Sequence, residues 1–229
     1  MKNLLQGVAH LLFPDSCAVC RRQLYTREEV LCTGCLKTLP RTGFDFRIGN
    51  PVEKIFWGRI PITSASSFLT FAKQGVVQSL LFKLKYKGET DIGVFLGRQY
   101  GMQILKTLGP QPFDGIVPVP LHPRKMKKRG YNQCELVCEG ISEVLEIPLM
   151  KDALIRKIHN PTQTRKNRSD RWENVEDIFE AGDSALIRYK HLLLVDDVVT
   201  TGSTLEAAAT PLMRIDGVRI SIVTIAFPE

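Results

Sequence analysis

The thirteen residues from Leu192 to Thr204, LLLVDDVVTTGST, constrain what this chain can fold into more than any other segment. Four apolar residues predict a strand that is buried on both faces, as in a parallel sheet covered by helices. Two adjacent carboxylates, Asp196 and Asp197, follow at the carboxyl end of that strand. Open α/β sheets bind their ligands at that end. The segment therefore predicts an α/β protein with a ligand site at this edge of its sheet.

The loop that follows these carboxylates is typical of a phosphate site. It is rich in hydroxyl groups and leads into a helix predicted over Ser203–Ile215, while Gly202 lets the main chain approach a ligand closely. Backbone N–H groups, hydroxyls and a helix N-terminus all favour a phosphate. The carboxylates cannot favourably face that phosphate, so we expect neutral hydroxyls or a cation-bound group there. A ribose 5-phosphate meets both demands. The alternative is an ordinary strand–turn–helix in which Asp197 only caps a neighbouring group.

The rest of the chain from Ser64 onward alternates between strand and helix patterns. The predicted strands are Ser64–Phe71, Asp114–Val119, Ile147–Ile155, Leu192–Val195 and Val218–Ala226. Helical periodicity covers Val76–Lys85, Ile92–Leu108, a segment ending near Leu145, and Ser203–Ile215. Such alternation predicts a mainly parallel sheet. We expect three segments: residues 1–45 with an amphipathic helix and a cysteine lobe, an aperiodic linker at 46–62, and one large domain at 63–229.

Two CxxC pairs near the start of the chain predict a metal site. The four cysteines are Cys17, Cys20, Cys32 and Cys35, with eleven residues between the pairs. Each CxxC turn can aim two thiolates inward, and the intervening loop can bring the pairs together around tetrahedral Zn²⁺. We predict structural zinc, or another thiophilic metal, and a cytoplasmic location, because such thiols stay reduced there. Cys134 and Cys138, four apart on a helical segment, are predicted to be small buried hydrophobes.

The first residues predict a short amphipathic helix. The residues on its apolar face are Leu4, Leu5, Val8, Leu11 and Leu12. Gln6 and His10 interrupt the apolar run, and no small-residue cleavage site follows, so we reject a signal peptide. No apolar run approaches the ~20 residues of a membrane-spanning helix. Packing against its own protein is the favoured interpretation, while peripheral membrane association or docking of a partner stays open.

The positive charge of the chain lies in two short segments. Residues 121–131 hold five cations and no anion, and residues 156–174 hold six cations and two anions. Their joint surplus exceeds the net charge of +7, so the chain is not uniformly cationic. Two local clusters suit a ligand with one phosphate and one pyrophosphate. A nucleic-acid groove could use the same residues, and a solvated cationic turn at 124–129 is the simpler alternative.

The thirteen residues resemble the phosphoribosyl pyrophosphate (PRPP) binding signature of type I phosphoribosyltransferases. Four further segments agree with a narrower family: Lys85–Gly88, Pro118–Pro123, Arg129–Gln133 and Gln163–Val175. With the cysteine lobe in front, nearly the full length resembles the ComF family of competence-associated phosphoribosyltransferase-like proteins. The resemblance implies the type I phosphoribosyltransferase fold, a mainly parallel sheet flanked by helices, with a small N-terminal four-cysteine zinc lobe.

The resemblance also implies roles for particular residues. Asp196 and Asp197 would hold the ribose 2- and 3-hydroxyls. The 5-phosphate would lie on a loop made of Val199, Thr200, Thr201, Gly202, Ser203 and Thr204. The loop after the Ile116–Val119 strand would bind the pyrophosphate, which also ligates Mg²⁺. Its candidate residues are His122, Arg124, Lys128 and Arg129. This loop is longer and more basic than in usual type I enzymes.

Several single residues carry weaker indications. Residues 156–174 would form the flexible loop that closes over the reacting centre and excludes water. His122 could ligate or donate beside the pyrophosphate, or have no direct role. Trp57 and Trp172 could stack on a base, although simple packing is the favoured interpretation. No residue stands out as a general base.

Three hypotheses for function follow. The first is a Mg²⁺-dependent phosphoribosyltransferase whose acceptor is unknown. The second is a non-catalytic competence factor that binds PRPP or single-stranded DNA and serves the DNA-uptake machinery in natural transformation. The third makes the cysteine lobe a docking knuckle for nucleic acid or protein on a metabolic enzyme. Release of pyrophosphate from PRPP separates the first hypothesis from the second.

Overall fold

The computed structural model describes residues 15–157 and 178–229. The predicted N-terminal helix lies outside the described residues, as does the predicted flexible loop apart from Arg156 and Lys157. The helices are α1 (Thr33–Lys37), α2 (Pro51–Lys54), α3 (Val76–Tyr86), α4 (Asp91–Leu108), α5 (Pro123–Arg129), α6 (Gln133–Leu145), α7 (Ser184–Ile187) and α8 (Ser203–Met213). The strands are β1 (Ser64–Phe71), β2 (Gly115–Pro118), β3 (Leu154–Arg156), β4 (Phe179–Ala181), β5 (His191–Val198) and β6 (Arg219–Pro228).

A parallel sheet of order β1–β6–β5–β2 forms the centre of the molecule. Its β5 strand lies between β6 and β2, and Val195 pairs with Val223 on one side and with Pro118 on the other. The four residues of β5 from Leu192 to Val195 are fully buried, as their unbroken apolar run predicts. Because β2 and β5 run parallel, their carboxyl ends meet at the same edge. Asp196 and Asp197 therefore lie beside the segment that follows β2. The arrangement confirms the predicted α/β class.

Helix α6 is held tightly in place by α4. A side chain on Gly97 would collide with the carbonyl group of Val137, and one on Gly140 would collide with that of Val94. The two backbones can approach this closely only because both residues lack a Cβ atom. This contact fixes the start of α6, where Gln133 lies, against the sheet.

Two segments differ in detail from the predicted elements. The basic turn His122–Arg129 is helix α5, which begins with Pro123 and is followed by Gly130 at φ +86°. Pro at the first helical position and a left-handed Gly after the last are common helix boundaries. In the region predicted as a strand over Ile147–Ile155, Leu149 makes one parallel bridge to Ile116. A short 3-10 helix then leads into β3, which pairs with β4 in a separate antiparallel ribbon.

The segment 46–62 has little regular structure, as its lack of period indicates, yet it packs closely on the core. Asn50 begins α2: its Oδ1 accepts from the amides of Val52 and Glu53, and its Nδ2 donates to the carbonyl of Ala65 at 2.7 Å. The side chains of Val52 and Phe56 are fully buried. They belong to the core that also contains residues of the loop after β5. The boundaries at 45 and 62 stay a prediction.

The cysteine lobe packs at the other end of α6. Arg98 on α4 pairs with Glu29 of the lobe at 3.0 Å and with Glu143 on α6 at 2.6 Å. Glu143 follows Gln133 by ten residues, so the two ends of α6 lie about 15 Å apart. The lobe therefore lies away from the carboxylates at the edge of the sheet. Among the described helices, none has both the length and the apolar character needed to span a membrane.

Candidate functional site

Asp196 and Asp197 lie near the carboxyl end of β5, and each keeps one carboxylate oxygen available. Oδ1 of Asp196 accepts from the amide of Asp197 at 2.8 Å and from Sγ of Cys134 at 3.4 Å. Oδ2 of Asp197 accepts from Nε2 of Gln133 at 2.8 Å and pairs with Nζ of Lys85 at 2.6 Å. No described residue donates to Oδ2 of Asp196 or to Oδ1 of Asp197. The pair can therefore accept two hydroxyl groups.

The surroundings of this acid pair oppose its full ionisation. Burial, with the neighbouring charge of Asp197 as the second cause, raises the pKa of Asp196 to about 7. Burial also raises the pKa of the Cys134 thiol well above its ordinary value, so this thiol stays protonated and donates to Asp196. Hydroxyl donors or a cation would stabilise the ionised carboxylates. Ligand atoms of these three residues lie within 4.8 Å of one another.

The loop after β5 presents amides and hydroxyls to the outside. Val199 is buried, and the amides of Thr200, Thr201 and Gly202 donate to no described residue. The hydroxyls of Thr201 and Ser203 lie 3.1 Å apart, and Thr200, Thr201, Ser203 and Thr204 are all exposed. Such a loop at the N-terminus of α8 can bind a phosphate. The predicted loop residues therefore lie together next to the acid pair.

The segment 46–62 holds this loop from behind, which the sequence did not indicate. Gly202 has φ +77°, and a Cβ atom there would lie 2.5 Å from Cγ2 of Ile55. Arg59 donates to the carbonyl of Thr201 at 2.6 Å and forms an ion pair with Glu206 on α8. Both contacts fix the backbone of the loop rather than its outward face.

A cavity of about 280 Å³ lies beside the acid pair. Its lining residues are Lys85, Tyr86, Gly88, Lys125, Lys128, Arg129 and Tyr131. Lys85 joins the cavity to the acid pair, since it lines the one and contacts the other. Arg129 donates to Gln133, which in turn donates to Asp197. The structure therefore brings Lys128 and Arg129 of the predicted pyrophosphate loop to the site.

The other two residues predicted for the pyrophosphate loop are placed differently. Nδ1 of His122 accepts from the amide of Arg124 at 3.1 Å, so this side chain caps the N-terminus of helix α5. Neither His122 nor Arg124 lines the cavity, and both are exposed. Their predicted contacts with a pyrophosphate stay a prediction.

Two exposed aromatic rings lie next to each other on α3, and that of Tyr86 lines the cavity. Phe82 and Tyr86, one turn apart on α3, are 50% and 62% exposed, and their ring centroids lie 5.2 Å apart. Lys87 lies over the ring of Phe82, and Arg129 lies over that of Tyr86 at 5.6 Å. We call these four residues the aromatic–cationic face. The sequence signal for this face is a pair of aromatic residues at i and i+4 among lysines. Trp57 is elsewhere, beside Lys54 and Glu53, and Trp172 lies outside the described residues.

The four cysteines of the lobe form a cluster that can hold a metal such as zinc. Their sulfur atoms lie within 4.8 Å of one another, and those of Cys20 and Cys32 are 3.7 Å apart. A tetrahedron with Zn–S bonds of about 2.3 Å has sulfur atoms about 3.8 Å apart, whereas a disulfide brings them to about 2.05 Å. The amide of Cys35 donates to Sγ of Cys32 and, with the charge of Arg22, lowers the pKa of Cys32 to about 6, whereas burial raises the pKa of Cys35 to about 12. Such donors favour a thiolate, the form that binds metal.

Comparison with known proteins agrees with this geometry. A phosphoribosyl transferase domain model matches residues 132–228. The DNA utilization protein YhgH of Escherichia coli O157:H7 is 32% identical, over 86% of this chain and 84% of that protein. Competence protein F of Haemophilus influenzae is 27% identical, over 89% of this chain and 93% of that protein. Competence protein ComFC of Bacillus subtilis is 26% identical, over 61% of this chain and 54% of that protein.

Two of these relatives match 86% and 89% of this chain, so the similarity is not confined to the thirteen residues from Leu192 to Thr204. The domain match begins at the start of α6 and ends in β6, and it includes the acid pair and the loop after β5. Together with the parallel sheet, it confirms the predicted type I phosphoribosyltransferase fold. The chain belongs to the ComF family of competence proteins, with a phosphoribosyltransferase domain preceded by a four-cysteine lobe.

Proposed function

We propose that this protein binds PRPP together with Mg²⁺ at the edge of its sheet, and that it acts as a phosphoribosyltransferase. The observation that carries this proposal is that hydrogen-bond acceptors on the acid pair lie next to hydrogen-bond donors on the loop after β5. Two carboxylate oxygens that accept from no described residue lie beside a loop in which the amides of Thr200, Thr201 and Gly202 donate to no described residue. A sugar diol and a phosphate ester, linked as in ribose 5-phosphate, match both.

The predicted roles fit these positions. Asp196 and Asp197 accept hydrogen bonds from the ribose 2- and 3-hydroxyls, and the loop from Val199 to Thr204 donates to the 5-phosphate. The pyrophosphate on C1 extends toward the cavity, where Lys128 and Arg129 face it. Oxygen ligands suit Mg²⁺, and the ribose hydroxyls, the pyrophosphate and the acid pair supply them. The ion would neutralise part of the charge on the pyrophosphate.

The chemistry would be a displacement at C1 of the ribose. The bond between C1 and the pyrophosphate oxygen breaks, the pyrophosphate leaves with the electron pair, and a nucleophile on the acceptor forms the new bond. An oxocarbenium-like centre develops at C1 as that bond breaks. The cavity cations stabilise the departing charge, and the acid pair fixes the sugar. No covalent intermediate with the protein is needed.

A specific observation also favours the second hypothesis, binding of single-stranded DNA. The aromatic–cationic face offers two exposed rings with cations over them, and rings of this kind stack on bases while Lys and Arg contact phosphates. The names of the relatives, competence protein and DNA utilization protein, agree with a role in DNA uptake. We propose zinc as the metal of the lobe, in a structural role.

The test is calorimetric titration with PRPP and Mg²⁺. We expect the double variant Asp196→Asn with Asp197→Asn to lose binding by more than about a hundredfold, because two charge-assisted hydrogen bonds disappear. The exposed Asp152→Asn is the matched control and should bind like the parent. Unchanged affinity of the double variant would contradict the site.

Turnover and DNA binding need separate measurements. Pyrophosphate release is measured with PRPP, Mg²⁺ and a panel of bases, amines and oligonucleotides. Binding of PRPP without release for any acceptor favours the non-catalytic factor. Binding of a fluorescent oligonucleotide tests the aromatic–cationic face, with Tyr86→Ala expected to weaken it about tenfold and the exposed Tyr189→Ala to leave it unchanged.

A further inference from the structure

Lys85 lines the cavity, and its amine forms an ion pair with the carboxylate of Asp197, which is not part of the cavity lining. Four cations line the cavity: Lys85, Lys125, Lys128 and Arg129. In the described part of the chain, Lys85 alone among them has an ion pair with a carboxylate, at 2.6 Å from Oδ2 of Asp197. Mutual repulsion of the four cations favours this arrangement, because the carboxylate of Asp197 offers Lys85 a compensating negative charge.

The partner of Lys85 is also a proposed ligand of the sugar. Asp197 accepts from Gln133 and Lys85 at the same oxygen, and its carboxylate is nearly buried while the Lys85 side chain is 23% exposed. The amine of Lys85 therefore lies between two anion positions: the carboxylate that it now contacts, and the cavity that it lines. A pyrophosphate in the cavity would offer a multiply charged alternative to one carboxylate.

We propose that Lys85 is an exchangeable counterion that makes the site select ligands carrying a pyrophosphate over those carrying only ribose 5-phosphate. This inference rests on the proposed function. Without ligand, Lys85 pairs with Asp197. When a pyrophosphate occupies the cavity, Lys85 moves to it, and the carboxylate of Asp197 becomes fully available to the ribose hydroxyls. A ligand without pyrophosphate must compete with Lys85 for Asp197.

Two probes separate the two halves of the ligand: inorganic pyrophosphate and ribose 5-phosphate, each titrated by calorimetry. In Lys85→Met, we expect pyrophosphate to bind about tenfold more weakly or worse, because one charged donor is lost. We expect ribose 5-phosphate to bind equally well or up to about fivefold more tightly, because a competing ion pair is removed. The ratio of the two affinities should therefore fall by more than tenfold.

The controls keep this outcome interpretable. Lys85→Arg keeps a cation and should keep the ratio within about threefold. Lys106→Met removes one positive charge from an exposed position on α4, far from the cavity, and should leave both affinities unchanged. If Lys85→Met does not fold, as judged from its thermal melt, Lys85→Gln replaces it with a polar side chain of similar reach.

The results distinguish the inference from the function on which it rests. If Lys85→Met weakens binding of both probes equally, or otherwise leaves the ratio of their affinities unchanged, the exchange is wrong. The ribose site still stands in that case if Asp196→Asn with Asp197→Asn abolishes binding of ribose 5-phosphate. If the parent protein binds neither probe, both are wrong. An affinity for pyrophosphate that falls, while that for ribose 5-phosphate stays the same or rises, supports the exchange.

Discussion

The cysteine lobe and the acid-pair site are built in opposite ways. In the lobe, four sulfur atoms from one short stretch of chain converge on a common centre and leave no position for a further ligand once a metal is bound. In the site, Asp196 and Asp197 each keep an oxygen to which no described residue donates, and their neighbours come from α3 and α6, while the segment 46–62 holds the adjoining loop. A closed set of ligands suits a structural role. An open set suits binding and exchange.

The comparison predicts that the lobe matters most for stability. In Cys32→Ser, or after removal of the metal with a chelator, we expect the free energy of unfolding to fall by about 4 kcal/mol or more, since loss of a metal is among the most destabilising changes. Cys17, Leu31, Cys32 and Leu39 lie in the same core as α3 and α4, so the loss should be felt beyond the lobe. Denaturant titration measures it, and elemental analysis should find one zinc per chain.

The same variant should spare the acid-pair site. At a temperature where Cys32→Ser remains folded, we expect its affinity for PRPP to stay within about threefold of the parent. An affinity that falls as steeply as stability would mean that the lobe and the site form one unit.

The next effect concerns the loop after β5. In Gly202→Ala, a side chain must adopt φ +77° and meet Ile55 at 2.5 Å, so we expect a loss of about 2 to 4 kcal/mol of stability and at least tenfold weaker binding of PRPP. Gly130→Ala is the matched control: φ is +86° but no atom lies within 4 Å of the added carbon, so only about 1 to 2 kcal/mol should be lost. Equal effects of the two variants would show that the contact with Ile55 is unimportant.

A smaller effect is expected at Arg59, which holds the backbone of the loop after β5. Arg59→Met removes the donor to the carbonyl of Thr201 and the ion pair with Glu206, and we expect PRPP binding to weaken about fivefold to tenfold. Calorimetry measures the affinity, and Arg188→Met removes an exposed ion pair with Asp216 as the control. Identical affinity in Arg59→Met and the parent would mean that the loop keeps its conformation without this clamp.

The smallest effect is a dependence on pH at the acid pair. The folded-state pKa of Asp196 is about 7 and its ordinary value is 3.8. The folded protein therefore binds an extra proton between these values, and this group contributes stability that declines as the pH rises from about 4 to about 7. Asp196→Asn should remove this decline from the free energy of unfolding. The lowered pKa of the half-buried His191 acts in the opposite sense in both proteins, so their difference isolates Asp196.

The same proton affects ligand binding. In the proposed complex the ribose hydroxyls would donate to ionised carboxylates, so we expect affinity for ribose 5-phosphate to rise between pH 6 and pH 8 by less than about tenfold. Titration of the ligand's own phosphate contributes equally in Asp196→Asn, where the remaining rise should be smaller. An identical pH profile in the two proteins would contradict the assignment of Asp196.

What the sequence could predict depended on how far apart the contributing residues lie in the chain. The strand, the acid pair and the loop at Leu192–Thr204 are contiguous, and so are the CxxC pairs, so local chemistry was enough to identify them. Residues 122–129 were predicted as a basic turn, although Pro123 and Gly130 are residues typical of the start and the end of a helix.

The supporting residues could not be predicted in the same way. Arg59 lies 142 positions before Thr201, and Gln133 lies 64 before Asp197. Only the fold brings them together, because α6 is placed by its backbone contact with α4 and Arg59 by the burial of Phe56. Lys85 belongs to a segment that resembles the family, yet its pairing with Asp197 is a property of the assembled sheet edge.

The contacts behind the loop after β5 bear on the entropy of binding. Gly202 is packed against Ile55 and Phe56, and Arg59 holds Thr201 by its carbonyl, so the loop is ordered when the chain folds. A phosphate that arrives later does not have to immobilise it. Association would then be opposed by the lost motion of the ligand alone, and a small mobile sugar phosphate could be bound tightly through very few contacts.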